Sequence, residues 1–331
     1  MSIFKPSRDV LLGLALLTLI LVVYLRFPSF ASPNSLLAVF NDTSILIILA
    51  LGQMAVILTR CIDLSMAANL ALVGMCTAML NAAAPAIPIP ILVLLALFLG
   101  ACLGAINGVL VWKLDIPPIV VTLGTLTIFR GLIFLLSDGQ WVNAHEMSDA
   151  YKAFPRFSAF GVATLSWAAV LCIACLYVLL NRTSMGRAFY AVGGNPNAAV
   201  YTGINVGKTR FQAFVLSGAL SGIAGYFWVS RYAVAYVDIA SGFELDVVAA
   251  CVIGGISIAG GIGTVAGAVL GALFLGVIKN ALPVINISPF WQQAISGFAI
   301  IVAVIFNARS ERRAGRIILK QAEQPSTVSR A

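Results

Sequence analysis

Long apolar runs separated by short polar interruptions make up almost the whole chain. The runs cover residues 10–27, 45–59, 63–80, 87–112, 116–136, 165–180, 211–229, 245–258, 264–281 and 289–306. A bilayer-spanning helix needs about 20 mostly apolar residues. The pattern therefore predicts an all-α integral membrane protein with about ten transmembrane helices, organised as one domain over residues 1–331. Asn41 and Asp42 blur the start of the second run, and Pro117-Pro118 open the fifth, where a helix tolerates proline best. Ser29-Phe30-Ala31 has the small residues of a cleavage site, but the run before it is longer than a usual signal core. A retained first span is expected.

Composition agrees: 61% of the residues are hydrophobic and only 10% charged, against about 25% charged in ordinary soluble chains. That leaves no room for a separate soluble catalytic domain. The formal net charge of +8 is better read as cytoplasmic loops and anionic lipid than as nucleic acid. Ten spans put both termini on one side. The termini (1–8 and the basic tail 307–331), Arg60, Lys113 and the central loop hold most of the Lys and Arg residues; the other side holds Arg26, Lys152, Arg156 and Arg231. The bias predicts both termini in the cytoplasm. The central loop, 181–210, carries Arg182, Arg187, Lys208 and Arg210 with no acidic residue, so it too is expected to be cytoplasmic. Spans two to five and seven to ten are offset by an odd number of crossings, so a structural repeat between them would be inverted.

Gly100, Gly104 and Gly108 recur every fourth residue, as do Gly263, Gly267 and Gly271, and Gly218 with Gly222. Such stripes let helices approach closely. Gln53, Asn69, Asn107, Thr122, Thr125 and Arg130 are the polar candidates inside the spans, for a pathway lining or for helix–helix hydrogen bonds. Asp63 reads as an acid at a cytoplasmic helix start, favoured by the helix dipole, and Glu244 and Asp246 have the same reading on the opposite side. No acid then lies at mid-membrane, which argues against an ion-coupled secondary transporter. A membrane-embedded enzyme lacks any paired catalytic set. The six cysteines lie in or beside apolar runs; Cys172-Ile-Ala-Cys175 has redox spacing but sits inside the sixth apolar run. His145-Glu146-Met147-Ser148-Asp149 lacks a third metal ligand, so no metal site is expected. Gly261-Ile262-Gly263 lacks the strand of a nucleotide fingerprint, and no G-x-x-x-x-G-K-[ST] occurs. The chain is expected to bind no cofactor, and any ATP must be used by a partner.

Four stretches carry a resemblance. They are Ile62-Asp63-Leu64-Ser65; Ile116-Pro117-Pro118 through Leu126, with Arg130-Gly131; Gly186-Arg187 through Gly193-Gly194-Asn195, with Ala198-Ala199 and Gly203-Ile204-Asn205-Val206; and Glu244-Leu245-Asp246 through Gly267 to Asn280. Together they resemble the permease subunits of ATP-binding-cassette sugar importers of the ribose-permease type, closest to the rhamnose and autoinducer-2 import branch. The chain departs from the family at Cys61 and Ala67, where glycines usually flank the first motif, and at Ile262, where a charged residue is common. The resemblance implies a bacterial inner-membrane permease paired with a second one, identical or paralogous. It also implies a cytoplasmic ATPase and a periplasmic or extracellular solute-binding protein as partners. Rhamnose is the substrate expected, with autoinducer-2, ribose or another sugar as alternatives. Gly186, Arg187, Tyr190, Gly193, Gly194, Asn195, Ala198, Ala199 and Gly203 map onto the coupling helix that meets the ATPase, with Gly193-Gly194 expected to permit a turn. Lys152, Arg156 and Arg231 are the residues expected to meet the binding protein, from their charge and placement.

Overall fold

A computed structural model describes residues 8–284 together with Trp291, Ala294, Gly297 and Phe298. The helices in order are α1 (Arg8–Arg26), α2 (Pro33–Leu58), α3 (Met66–Ala83), α4 (Ile89–Lys113), α5 (Pro118–Ser137), α6 (Asp149–Ala153), α7 (Thr164–Arg182), α8 (Ser184–Gly194), α9 (Pro196–Tyr201), α10 (Val206–Tyr232), α11 (Phe243–Ile253) and α12 (Val265–Val284). Among the described residues, eight of them (α1–α5, α7, α10 and α12) are long and apolar enough to cross a membrane. The fold is the all-α membrane architecture expected. Apart from Trp291, Ala294, Gly297 and Phe298 the tenth apolar run lies outside the described residues, as does the basic tail, and with them one member of the expected inverted repeat.

Ser32 starts α2: its hydroxyl accepts from the Ser35 amide and Pro33 takes the first helical position. Asn41 and Asp42, which blurred this start in sequence, lie inside the helix. Asn41 Oδ1 accepts from Ser166 of α7, and Asp42 pairs with Arg231 of α10. From Thr43 to Leu58 every residue of α2 is buried, so this helix is apolar all round because it is the centre of the bundle. The long helix α10 packs beside it and against α3 and α4. At the edge, α1 leaves Leu14, Leu17 and Leu21 more than half exposed, the surface expected to meet lipid.

Glycine sets the closeness of these contacts. The stripes of α4 and α10 lie face to face: a Cβ on Gly100 would stand 2.7 Å from the Gly222 Cα, and one on Gly218 would stand 2.7 Å from the Gly104 Cα. Two stripes that read as separate in sequence are the two halves of one interface. The third stripe does the same for α12 and α11, where Gly271 lies against Ala250 and Gly254.

The eighth apolar run corrects the expectation. Its helix, α11, has 11 residues, about 16 Å at 1.5 Å per residue, or roughly half of a 30 Å hydrocarbon core. Glycines 254, 255, 260 and 261 end it early, the last three with positive φ. The chain completes the crossing as irregular backbone. Such backbone survives at membrane depth only where protein satisfies it, and here Ile256 N bonds to Cys251 O (3.0 Å), Ser257 N to Ile262 O (2.9 Å) and Gly261 N to Leu58 O (3.1 Å). The seventh span starts earlier than expected, at Val206, so the end of the central loop is helical. At the opposite end of the bundle, the polar loop after α5 is an ordered cap. It holds α6, the antiparallel hairpin of β1 (Ser158–Ala159) and β2 (Val162–Ala163), and a bridge between Val142 and Ala235.

Candidate coupling site and intramembrane polar cluster

The polar central stretch folds as a helical hairpin because three side chains cap its helices. Thr183 Oγ1 accepts from Gly186 N (3.2 Å) to open α8, Asn195 Oδ1 from Ala198 N (3.1 Å) to open α9, and Asn205 Oδ1 from Lys208 N (2.8 Å) to open α10. Each cap contributes about 1 kcal/mol.

One side of α8 is buried through Gly186, Phe189, Val192 and Gly193. It rests on two elements distant in sequence, the α2–α3 turn and the glycine loop after α11. Arg60, in the left-handed conformation (φ 63°), bonds through Nε to Gly193 O (2.7 Å) and through Nη2 to Gly194 O (2.8 Å). Those carbonyls belong to the last turn of α8, which lacks intrahelical donors and favours a cation. Gly193 is wedged between the Leu58 carbonyl and Gly261. Tyr190 donates its hydroxyl to Gly263 O (2.9 Å), and burial pushes its phenol pKa up.

This geometry divides the nine residues expected in the coupling segment. Arg187, Gly194, Asn195, Ala198 and Gly203 are exposed; Gly186, Gly193 and Ala199 are buried against the chain itself, and Tyr190 is half-buried. The buried ones position the hairpin and present no surface. The turn expected at Gly193-Gly194 is also corrected: both residues are helical, and only Gly193 is needed, for close approach. Sequence reading missed Arg60, and it missed Val200 and Tyr201, which stand 59% and 92% exposed on the short α9.

Inside the bundle, Gln53, Asn69, Asn107, Thr122 and Thr125 are all buried. Asn69 Nδ2 donates to Gly100 O (3.2 Å), Asn107 Nδ2 to Ser65 Oγ (2.8 Å), Thr122 Oγ1 to Ile62 O (3.3 Å) and Thr125 Oγ1 to Val121 O (3.1 Å). The Asn69, Asn107 and Thr122 bonds tie α3 to α4, α4 to the start of α3, and α5 to the α2–α3 turn, while Thr125 bonds within α5. The Gln53 amide has no hydrogen-bond partner among the described residues.

Asp63 requires a correction. It is 1% exposed, and it sits within the bundle rather than at its surface. Its carboxylate accepts from Ser65 N (2.9 Å), Ser65 Oγ (2.7 Å) and Ser217 Oγ (3.2 Å). Ser217 lies roughly 16 Å along α10 from its start. The reversal at Arg60 turns the chain inward at this point, so a helix-start acid becomes an intramembrane one.

The remaining basic candidates are engaged. Arg130 Nη1 donates to Val237 O and Ile239 O (both 2.7 Å), anchoring the segment between α10 and α11. Lys152 pairs with Asp149 (3.0 Å), Arg156 Nη2 donates to Arg231 O (2.6 Å), and Arg231 pairs with Asp42. Lys152 and Arg231 thus lie in ion pairs, whereas Arg156 is exposed and bonds only to a neutral carbonyl. Glu244 and Asp246 fall in the first turn of α11, as the dipole reading required, and Asp246 also pairs with Lys279 (2.5 Å). His145 is exposed, no metal-binding cluster is found among the described residues, and the described cysteines are free.

The chain is a multi-helix bundle with membrane-length apolar helices, a broken helix, glycine-sealed contacts and a capped helical pair at one end, an architecture that suits a transport subunit. Residues 35–304 match the family described as branched-chain amino acid transport system / permease component, and the chain belongs to that family. Among its relatives are proteins named autoinducer 2 import system permease protein LsrC. The one from Photorhabdus luminescens is 34% identical over 93% of this chain and 92% of its own length. The one from Enterobacter sp. (strain 638) is 37% identical over 93% and 89%, and the one from Escherichia coli (strain K12 / DH10B) is 34% identical over the same shares. No solved structure matches. The resemblance drawn from the four motifs holds: the chain is a multi-pass membrane subunit of a transport system. The expectation of rhamnose gains no support, since these relatives are named for autoinducer-2.

Proposed function

We propose that this chain is the inner-membrane permease subunit of an ATP-binding-cassette importer for autoinducer-2. It would work beside a second permease, with a separate ATPase and a solute-binding protein. The observation that carries the ATPase assignment is the helical pair α8–α9: it is exposed at Asn195, Ala198, Val200 and Tyr201, while the last turn of α8 beside them is clamped to the bundle through Arg60 and Gly193. A rigid body held on one side and exposed on the other suits a partner that pushes on it. Charge supports placing this end in the cytoplasm. Arg60, Lys113, Arg182, Arg187, Lys208 and Arg210 gather there, and the termini would lie on that side. The opposite end, where Asp42, Asp138, Glu146, Asp149, Asp238 and Glu244 collect, would face the binding protein. The names of the relatives support autoinducer-2 over rhamnose or ribose.

Buried Asp63 revives a second reading, an ion-coupled secondary transporter, because the missing intramembrane acid was the argument against it. One reconstitution separates the two. The chain is placed in proteoliposomes with its partner ATPase, second permease and solute-binding protein, and uptake of labelled autoinducer-2 is followed. ATP-dependent uptake that vanishes without the ATPase is expected. Uptake by this chain alone would overturn the importer reading, and uptake of rhamnose in preference to autoinducer-2 would overturn the substrate.

A further inference from the structure

We propose that the β1–β2 hairpin is an aromatic anchor seated in the polar–apolar boundary of the bilayer, at the end of the bundle opposite α8 and α9. Two consecutive residues at its tip have positive φ, Phe160 at 55° and Gly161 at 77°. A turn with positive φ at both central residues normally takes Asn, Asp or Gly. An aromatic side chain in that conformation is an outlier. Phe160 is also 99% exposed. Neither the backbone nor the packing of this chain accounts for a phenylalanine there, so its reason lies outside the chain.

The surroundings identify the occupant as lipid. Thr164, the first residue of α7, holds the hairpin base: its amide (2.8 Å) and its hydroxyl (3.0 Å) both donate to Phe157 O. One turn further on, Trp167 Nε1 donates to Ala159 O (3.1 Å), which lays the hairpin against one side of α7. That side carries Trp167, Val170, Leu171 and Val178, each between 41% and 64% exposed. An apolar exposed face on a membrane-spanning helix meets acyl chains. The hairpin tip therefore continues a lipid-facing stripe at its outer limit, with Phe157 (66% exposed) and Trp167 beside it. Tryptophan concentrates at this depth because its apolar body and its indole N–H both find their solvent there, and the exposed phenylalanines beside Trp167 add apolar surface for the acyl chains. A docked protein is the competing occupant.

The test uses the full chain in vesicles of phosphatidylethanolamine and phosphatidylglycerol. A nitroxide is attached at Phe160→Cys after exposed Cys102 and Cys175 are replaced by serine; a second probe at Phe157→Cys covers failure of the first. Accessibility to oxygen and to a water-soluble nickel chelate is compared with a label at Ala144→Cys in the solvated part of the cap. The expected result is oxygen access above nickel access at 160, with nickel access at least several-fold lower than at 144. Nickel access equal to that at 144 would overturn the anchor. So would nickel access that falls only when a solute-binding protein is added, which would assign the hairpin to that protein instead.

Discussion

Replacing Gly193 with alanine places a methyl group between two backbones. The new Cβ would stand 2.9 Å from the Gly261 Cα and closer still to Gly261 N and the Leu58 carbonyl oxygen. None of these is the end of a flexible side chain, so relief requires α8, the α2–α3 turn or the glycine loop to move. Overpacking of this kind costs about 1–3 kcal/mol, and a backbone clash on both sides belongs at the upper end. At about 3 kcal/mol the docked state of α8 weakens roughly 100-fold relative to the undocked one. The neighbouring Gly194 has open space around its would-be Cβ and helical backbone. Alanine there is neutral, or stabilises by up to about 1 kcal/mol. Amide exchange across 184–194 reads the docking directly: it should rise by one to two orders of magnitude in Gly193→Ala and stay unchanged in Gly194→Ala. In the reconstituted importer, Gly193→Ala should keep its membrane yield and lose most ATP-driven uptake. Equal exchange in the two variants would refute the wedge, and normal uptake despite raised exchange would refute the coupling role built on it.

The spans were legible because a transmembrane helix satisfies its own backbone, so length and apolarity suffice to announce it. The run at 245–258 failed that logic. Its glycines stop the helix at Ile253, and the rest crosses on bonds to Leu58 and to its own turns, partners that composition does not reveal. The same limit applies to the coupling site. The stretch from Thr183 to Asn205 declared its caps locally, but the clamp on it comes from Arg60, 133 positions away from Gly193. The glycine period of α4 and of α10 was visible on each helix separately, whereas their mutual fit needed the fold. Asp63 was misread for a related reason. Its neighbours in sequence suit a surface helix start, and only the left-handed turn at Arg60 carries it to Ser217.

The α4–α10 interface predicts that Gly218→Val, facing the Gly104 Cα, abolishes accumulation of folded protein, while Gly124→Val, in open space, is tolerated; size-exclusion profiles of detergent extracts decide. Arg130→Met should free the segment after α10 by removing two charge-assisted bonds worth about 1.5–3 kcal/mol each, read as faster proteolysis within 233–242, and unchanged cleavage would exclude the anchor role. Asp63 separates a structural from a proton-carrying role. Asparagine keeps one carbonyl oxygen, which can still accept from Ser65 N and Oγ, so the turn survives with the loss of about one bond to Ser217. Alanine leaves the Ser65 amide, the Ser65 hydroxyl and the Ser217 hydroxyl without their acceptor in a buried site, a cost of about 1–3 kcal/mol for each group left unsatisfied. If the carboxylate only holds the α2–α3 turn against α10, Asp63→Asn should transport within about threefold of the parent at pH 6 and at pH 8, while Asp63→Ala fails to fold or to transport, as expected for a buried acceptor whose loss exposes three donors. A well-folded Asp63→Asn variant without uptake, or one that loses a pH dependence the parent has, would mean that the charge itself is used, and the ion-coupled reading would then stand ahead of the ATP-driven one.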